Sequence, residues 1–383
     1  MKRRLFIILA LASGLGAVIT GIFEKSRIKD IFKSVYRWTL PDFKVAHGHE
    51  SVTVETALNS RCNSDWGSNP YEFHWGMFDP KKNLSPDIAQ KVMSHSQLPE
   101  LTGSKTWISK DSETLSFIAS NKADNTKMTW LMIESGMRQQ AVCLVCAALG
   151  VGMVFYNKGR DGVVLSDSDF LTTRIDLGPM KPGYEGSYWT SKAPGEPSAW
   201  MSGNLADPDR KGKIPFLSVL PELRLERKTS HSASENSLSQ LLWAARGRTP
   251  HYYLARPWGL TIPTRTGQQD ISSIYVIKDG KSFNYINWMN DRPTHSLSQI
   301  GEMPGSLFTD NGYGSQTRHG LIVMGINENR NWALWEVGYQ MFNLVVQAHS
   351  LGVSYDTHFL DESQQKLIEQ SGIKNPVVAF SHY

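Results

Sequence analysis

Read as apolar and polar positions, the chain shows its clearest regularity twice. Between Gly338 and Gly352 stand Met341, Phe342, Leu344, Val345, Val346, Ala348 and Leu351. That is more than one buried stripe supplies, and it predicts a helix enclosed by protein on most sides. Through this background run Glu336, Gln340, Asn343 and Gln347, at i, i+4, i+7 and i+11, so four polar side chains share one face. A polar stripe on a buried helix needs partners. Neighbouring helices or solvent would supply them; the alternative is a functional site. Trp130, Glu134, Gly136, Leu149, Gly150 and Val151 recur 202 residues later as Trp332, Glu336, Gly338, Leu351, Gly352 and Val353. The constant offset predicts two copies of one fold in one chain, an internal pseudo-dimer. In the earlier predicted helix, 129–149, the polar line stops at Glu134 and Arg138, with Ala141 and Val145 where Asn343 and Gln347 stand later.

The remaining pattern predicts a helix near 85–95, a strand at 115–119, and a crossover at 179–215 where Gly and Pro prevent long elements. A helix follows with Glu235, Asn236 and Ser237 as caps, continuing through Leu238, Leu241, Leu242 and Ala245. Strands at 273–278 and 282–286 flank an Asp279-Gly280 turn, which signals a hairpin. Further strands are expected at 321–326 and 377–380. Helices and strands alternate without the beat of a doubly wound sheet, so the class is α+β.

At 383 residues, 40% hydrophobic and 10% aromatic, the chain is long enough for two domains with substantial cores. A net charge of +4 with no basic block interleaved with aromatics excludes a nucleic-acid partner. Lys2, Arg3 and Arg4 precede an uncharged run, 5–23, that as a helix would span about 28 Å. Residues 1–23 therefore read as a signal or single membrane anchor, resembling a twin-arginine export signal, and 24–45 as a juxtamembrane linker. This places the protein at the inner membrane with its soluble part exported. The basic residues after the span leave a cytoplasmic body as the alternative. Cys143 and Cys146 form a C-x-x-C inside an apolar helix, where a structural role outweighs a zinc or redox role. His47 and His49 read as solvated linker residues, and no metal site is expected. No G-x-S-x-G turn supports a serine hydrolase.

Two clusters in the second half carry candidate chemistry. Arg227, Lys228, Thr229 and His231 gather cations and a hydroxyl just before a helix, a combination suited to phosphate. Pro263, Thr264, Arg265, Thr266 and Gly267 form a turn feeding a strand, where backbone N–H groups can approach a flat ligand. With the helix 237–247 and its Trp-Ala-Ala-x-Gly ending, and Glu336, Gly338, Asn343, Leu351 and Gly352, these segments resemble the nitroreductase-like FMN flavoproteins. Within them they are most similar to the SagB-type thiazole/oxazole-forming peptide dehydrogenases. The resemblance covers about 216–383 and, more loosely, 130–151.

It implies two nitroreductase-like halves, 46–178 (degenerate) and 216–383, with FMN between them. The phosphate would lie against Arg227, Lys228, Thr229 and His231, and the flavin ring over Pro263 to Gly267. Asn343 would contribute from the dimer helix, and the loop at 353–357 would lie near the flavin edge; its position makes Tyr355 and Asp356 the candidate proton donors or acceptors. The first half has no counterpart to the basic cluster or the Pro-Gly turn, so one flavin site is expected. Hydride transfer between flavin N5 and a nitro or quinone compound, or a peptide azoline, is the implied reaction. The internal dimer leaves the protein monomeric. The alternative is a membrane-tethered, non-catalytic binding module of the same fold.

Overall fold

The structure is a computed structural model that describes residues 52–59, 66–67, 86–98, 106–111, 114–120, 125–149, 151–156, 163–164, 169–179, 201–231, 233–249, 259–263, 271–290, 292–303, 320–327 and 331–383. The predicted anchor and linker, His47, His49 and Cys62 lie outside these residues, as do Thr264, Arg265, Thr266 and Gly267. Among the described residues no helix is long and apolar enough to cross a membrane.

The first part supplies α1 (Val54–Asn59), β1 (Trp66–Gly67), α2 (Pro86–His95), β2 (Thr106–Asp111), β3 (Thr114–Ser120), α3 (Asn125–Leu149), β4 (Val151–Tyr156), β5 (Val163–Val164) and β6 (Asp169–Pro179). The second begins with α4 (Phe216–Val219), β7 (Glu226–Arg227), α5 (Glu235–Arg246), β8 (Arg248–Thr249) and β9 (Gly259–Leu260). It continues through β10 (Ser272–Lys278), β11 (Lys281–Met289), β12 (Arg292–Glu302), β13 (Leu321–Ile326), α6 (Asn331–Leu351), β14 (Tyr355–Phe359), α7 (Glu362–Glu369) and β15 (Pro376–His382). The class is α+β, as the alternation of elements predicts.

One sheet runs β1-β4-β6-β3-β2, with β5 on β6; a second runs β12-β11-β10-β13-β15-β14-β7, and β8 pairs with β9 in a two-stranded sheet. In the first, β3 leads into α3 and α3 into β4, while β6 lies between β4 and β3. In the second, β13 leads into α6 and α6 into β14, while β15 lies between β14 and β13. Each long helix packs on its own sheet, and the two pack on each other along the centre of the molecule. Their crossing is too close for side chains. A Cβ on Gly136 would stand 2.4 Å from the Trp335 carbonyl oxygen, and one on Gly338 would stand 2.1 Å from the Ile133 oxygen. These contacts are equivalent under the 202-residue offset, so each copy of the repeated glycine admits the other helix.

Local chemistry explains where expectation and structure part. α5 is capped by Ser234, whose hydroxyl accepts from the Ser237 N–H in a reciprocal capping box, so Glu235 sits in the first turn beside the positive end of the helix dipole. The Asp279-Gly280 turn is as expected, with φ of 51° and 71°. β11 runs to Met289 rather than 286, and pairs with β12, which the pattern did not predict. Much of β12 is exposed, so it lacks the apolar alternation that marks a strand. α7 has eight residues and buries only Ile368, with Asp361 and Gln364 forming its capping box. The predicted loop at 353–357 is largely strand β14. Cys143 and Cys146 are buried in α3 and not disulfide-bonded.

Candidate functional site

The predicted phosphate cluster lies where β7 pairs antiparallel with β14, Arg227 opposite Tyr355 and Glu226 opposite Asp356. Beside it α6 ends in a Schellman motif. Gly352, at φ 71°, donates its N–H to the His349 oxygen, and Val353 donates to Ala348. No atom lies within 4 Å of where a Gly352 Cβ would be, so this glycine is required by its backbone angle rather than by space. The basic segment fastens this helix end. Arg227 Nη1 donates to the His349 oxygen at 3.1 Å and Thr229 Oγ1 donates to the Gly352 oxygen at 2.8 Å. The Thr229 N–H donates to Ser354 Oγ at 2.8 Å, and Ser354 Oγ donates back to the Thr229 oxygen. His231 makes an isolated parallel bridge with Val353. A guanidinium at a helix C-terminus is favourable, because the last carbonyls carry partial negative charge.

Strand alternation splits the cluster. Arg227 and Thr229 face the end of α6, whereas Glu226 and Lys228 pair with each other on the other side at 3.2 Å. The hydrogen bond to Glu226, then the charges of Glu226, Tyr383 and Asp356, raise the Lys228 pKa. His349 Nε2 lies 3.3 Å from Glu222; burial first, then the charge of Arg227, lowers its pKa against the opposing pull of Glu222. His358 pairs with Asp356 at 3.6 Å. Three carboxylates therefore already balance the cations.

The other predicted site residues are placed elsewhere. Asn343 is fully buried mid-helix. Its Nδ2 donates to the Ala244 oxygen at 2.9 Å and the Thr261 oxygen at 3.2 Å, while its Oδ1 accepts from Gln140 Nε2 at 2.9 Å. Tyr355 is also fully buried, stacked on Phe380, with its hydroxyl donating to the Arg224 oxygen. Burial pushes its phenol up to about 12. Asp356 remains partly exposed beside His358. Pro263 follows Thr261 and Ile262, next to where Asn343 and Gln140 meet the Thr261 carbonyl.

The polar stripe of α6 is spent on packing. Glu336 Oε2 receives Arg246 Nη1 and the Ser272 hydroxyl, each at 2.7 Å, and Gln340 donates to Ser272 at 2.8 Å. Gln347 donates to the buried Glu55 at 2.7 Å and accepts from Gln240 at 3.4 Å. Sequence reasoning missed Arg246, Ser272 and Glu55, which come from three other elements. Their signal is visible only as polar residues in otherwise apolar runs.

Tested against FMN, the phosphate end fits in part. Arg227 uses one of its N–H groups, and Lys228 and His231 are exposed with donors to spare. Asn343 and Tyr355 do not fit, since both are sealed by protein partners.

No known family profile matches the chain, and no curated protein matches it. Among solved structures it is similar to a candidate nitroreductase from Anabaena variabilis, at 11% identity over 70% of this chain and 68% of that one, with a TM-score of 0.48. It is also similar to a candidate nitroreductase from Ralstonia eutropha (18% identity, 46% of this chain and 86% of that one, TM-score 0.35) and a candidate NADH oxidase from Clostridium acetobutylicum (12%, 36% and 93%, 0.25). At these identities and scores the likenesses assign neither family nor activity.

Proposed function

We propose that the chain is an FMN-dependent oxidoreductase of nitroreductase-like architecture, built as an internal pseudo-dimer and holding one flavin at the C-terminal end of α6. The observation that carries this reading is convergence. The basic segment 227–231 and the segment 352–355, more than a hundred residues apart, are joined by the hydrogen bonds of Arg227, Thr229 and Ser354. The reciprocal glycine contacts of α3 and α6, and the matching strand orders, support the pseudo-dimer.

Arg227 and His231 would hold the phosphate, with Lys228 on the other face of β7 adding only longer-range charge, and the segment after Pro263 would carry the ring. Bound FMN supplies hydride transfer to or from a small organic or peptide substrate. Asn343 and Tyr355 keep scaffold roles, and Asp356 with His358 is the remaining proton-exchanging pair near the strand edge. Because Glu222, Glu226 and Asp356 oppose a phosphate dianion, FMN should be held weakly and lost on dilution or at high salt. The anchor at 1–23 would tether this unit to the inner membrane as a monomer, with the soluble part on the exported side.

The test is the visible spectrum of the purified protein before and after addition of FMN. Flavin absorbance that increases with added FMN, and falls in Arg227→Gln, supports the reading. A colourless protein that binds no added FMN removes it. A second reading, a non-catalytic module, is favoured by one observation: Lys228 and Arg227 already have protein partners.

A further inference from the structure

Along β10, Ile274 and Val276 point into the core beneath α5 and α6, which sends Ser273 and Tyr275 to the outer face of the sheet. On that face a cleft of about 480 Å³ opens, lined by Ser273, Tyr275, Asn284, Asn327, Lys374 and Asn375. We propose that this cleft binds a polyhydroxylated ligand of monosaccharide size, with a sugar carboxylate favoured over its neutral analogue.

The cleft is constructed rather than incidental. Tyr275 pairs across the strands with Asn284. Its ring is buried, 5% exposed overall, and the residue lines the cleft. Asn284 lies mid-strand, a position that disfavours asparagine, and its half-buried carboxamide has no partner among the described residues. Gly325 lets the turn before β15 close over this pair, since a Cβ there would stand 2.3 Å from the Lys374 oxygen and 3.2 Å from the Tyr275 ring. Asn375, at φ 39°, is locked by donation to the Ile326 oxygen at 3.0 Å, and Asn327 donates to Ser273 Oγ at 2.9 Å. These bonds fix the walls and leave the hydroxyl hydrogen of Ser273 and the acceptor oxygen of Asn375 for a ligand.

Carboxamides and hydroxyls both donate and accept, as sugar hydroxyls do. No carboxylate lines the cleft among the described residues, and Lys374 supplies the single positive charge. Ile300 at the rim, 40% exposed, offers an apolar edge to the C–H face of a sugar ring. The volume lies within the usual range for small-ligand sites. The cleft lies on the opposite face of the sheet from α6, away from the β7 edge, so it is independent of the flavin reading.

The test is saturation-transfer NMR of the full chain with glucuronate and, separately, glucose. Glucuronate should receive transfer, glucose less. Lys374→Met should remove the difference between them. Asn284→Leu should weaken both by about five-fold or more, the loss expected of one or two ligand hydrogen bonds. An unchanged circular dichroism spectrum in both variants shows that the fold is retained. Transfer to neither sugar, or transfer unchanged in Asn284→Leu, overturns the proposal.

Discussion

Glu134 and Glu336 occupy the same place in the two long helices, and they are neutralised in opposite ways. Glu134 is paired within its own helix by Arg138, one turn on, at 3.0 Å, and Arg138 also reaches the Leu98 oxygen. Glu336 is paired by Arg246 of α5 and bound by Ser272 of β10. The first ion pair lies within one helix, and the second joins two elements distant in sequence. The edges differ in the same sense: β1 runs parallel to β4 on the first sheet, whereas β7 runs antiparallel to β14 on the second and ties the end of α6. A shared helical frame thus carries two different schemes of polar satisfaction, and the second depends on more of the chain.

The frame itself should be the most sensitive point. Gly338→Val drives a side chain into the backbone of α3, and a loss of about 3 kcal/mol or more, or failure to fold, is expected in denaturant unfolding. Gly136→Val should behave alike, and a tolerant Gly136 would break the equivalence of the two crossings. Next in size, Arg246→Met leaves Glu336 buried without its cation and should cost about 3–5 kcal/mol, much of it recovered when Glu336→Leu is added. Hydrogen exchange sharpens the contrast: Arg246→Met should raise exchange in α5 and β10 as well as α6, whereas Arg138→Met should affect α3 and its surroundings. An equal spread in both would erase the distinction.

A third effect comes from the second half. His295 is buried, its Nε2 2.8 Å from Ser239 Oγ and its Nδ1 2.8 Å from the Tyr285 hydroxyl. Burial lowers its pKa from near 6.5 to about 4. The unfolded chain therefore binds a proton that the folded chain refuses, so stability falls as pH drops from about 7 to 4, by roughly 3 kcal/mol. His295→Asn should flatten that slope in pH-dependent melting; an unchanged slope would assign it to other groups. Smallest, Thr229→Val removes the hydroxyl on the Gly352 carbonyl and should cost about 1 kcal/mol in unfolding. No loss would mean that water replaces it.

The long helices and the hairpin turn were legible because each rests on a local pattern: unbroken apolar runs and Asp279-Gly280. β12 and α7 were not, since exposed strands and eight-residue helices carry little periodicity. At the candidate site the sequence singled out the segment 227–231 but not the partners its side chains bind. That Arg227 and Thr229 bind the end of α6, and that Asn343 meets Gln140 from the other helix, follows from contacts across 122, 123 and 203 residues. No spacing rule reaches that far.

The glycine crossing also sets an order of events during synthesis. α3 leaves the ribosome about 200 residues ahead of α6, which at usual elongation rates is roughly 10–40 seconds. For that interval its glycine-centred face, with Ile133 and Met137 beside it, has no partner helix. Contacts of such long sequence separation form late and slowly. The nascent first half is thus the stage most exposed to aggregation, and the stage at which a chaperone would be needed.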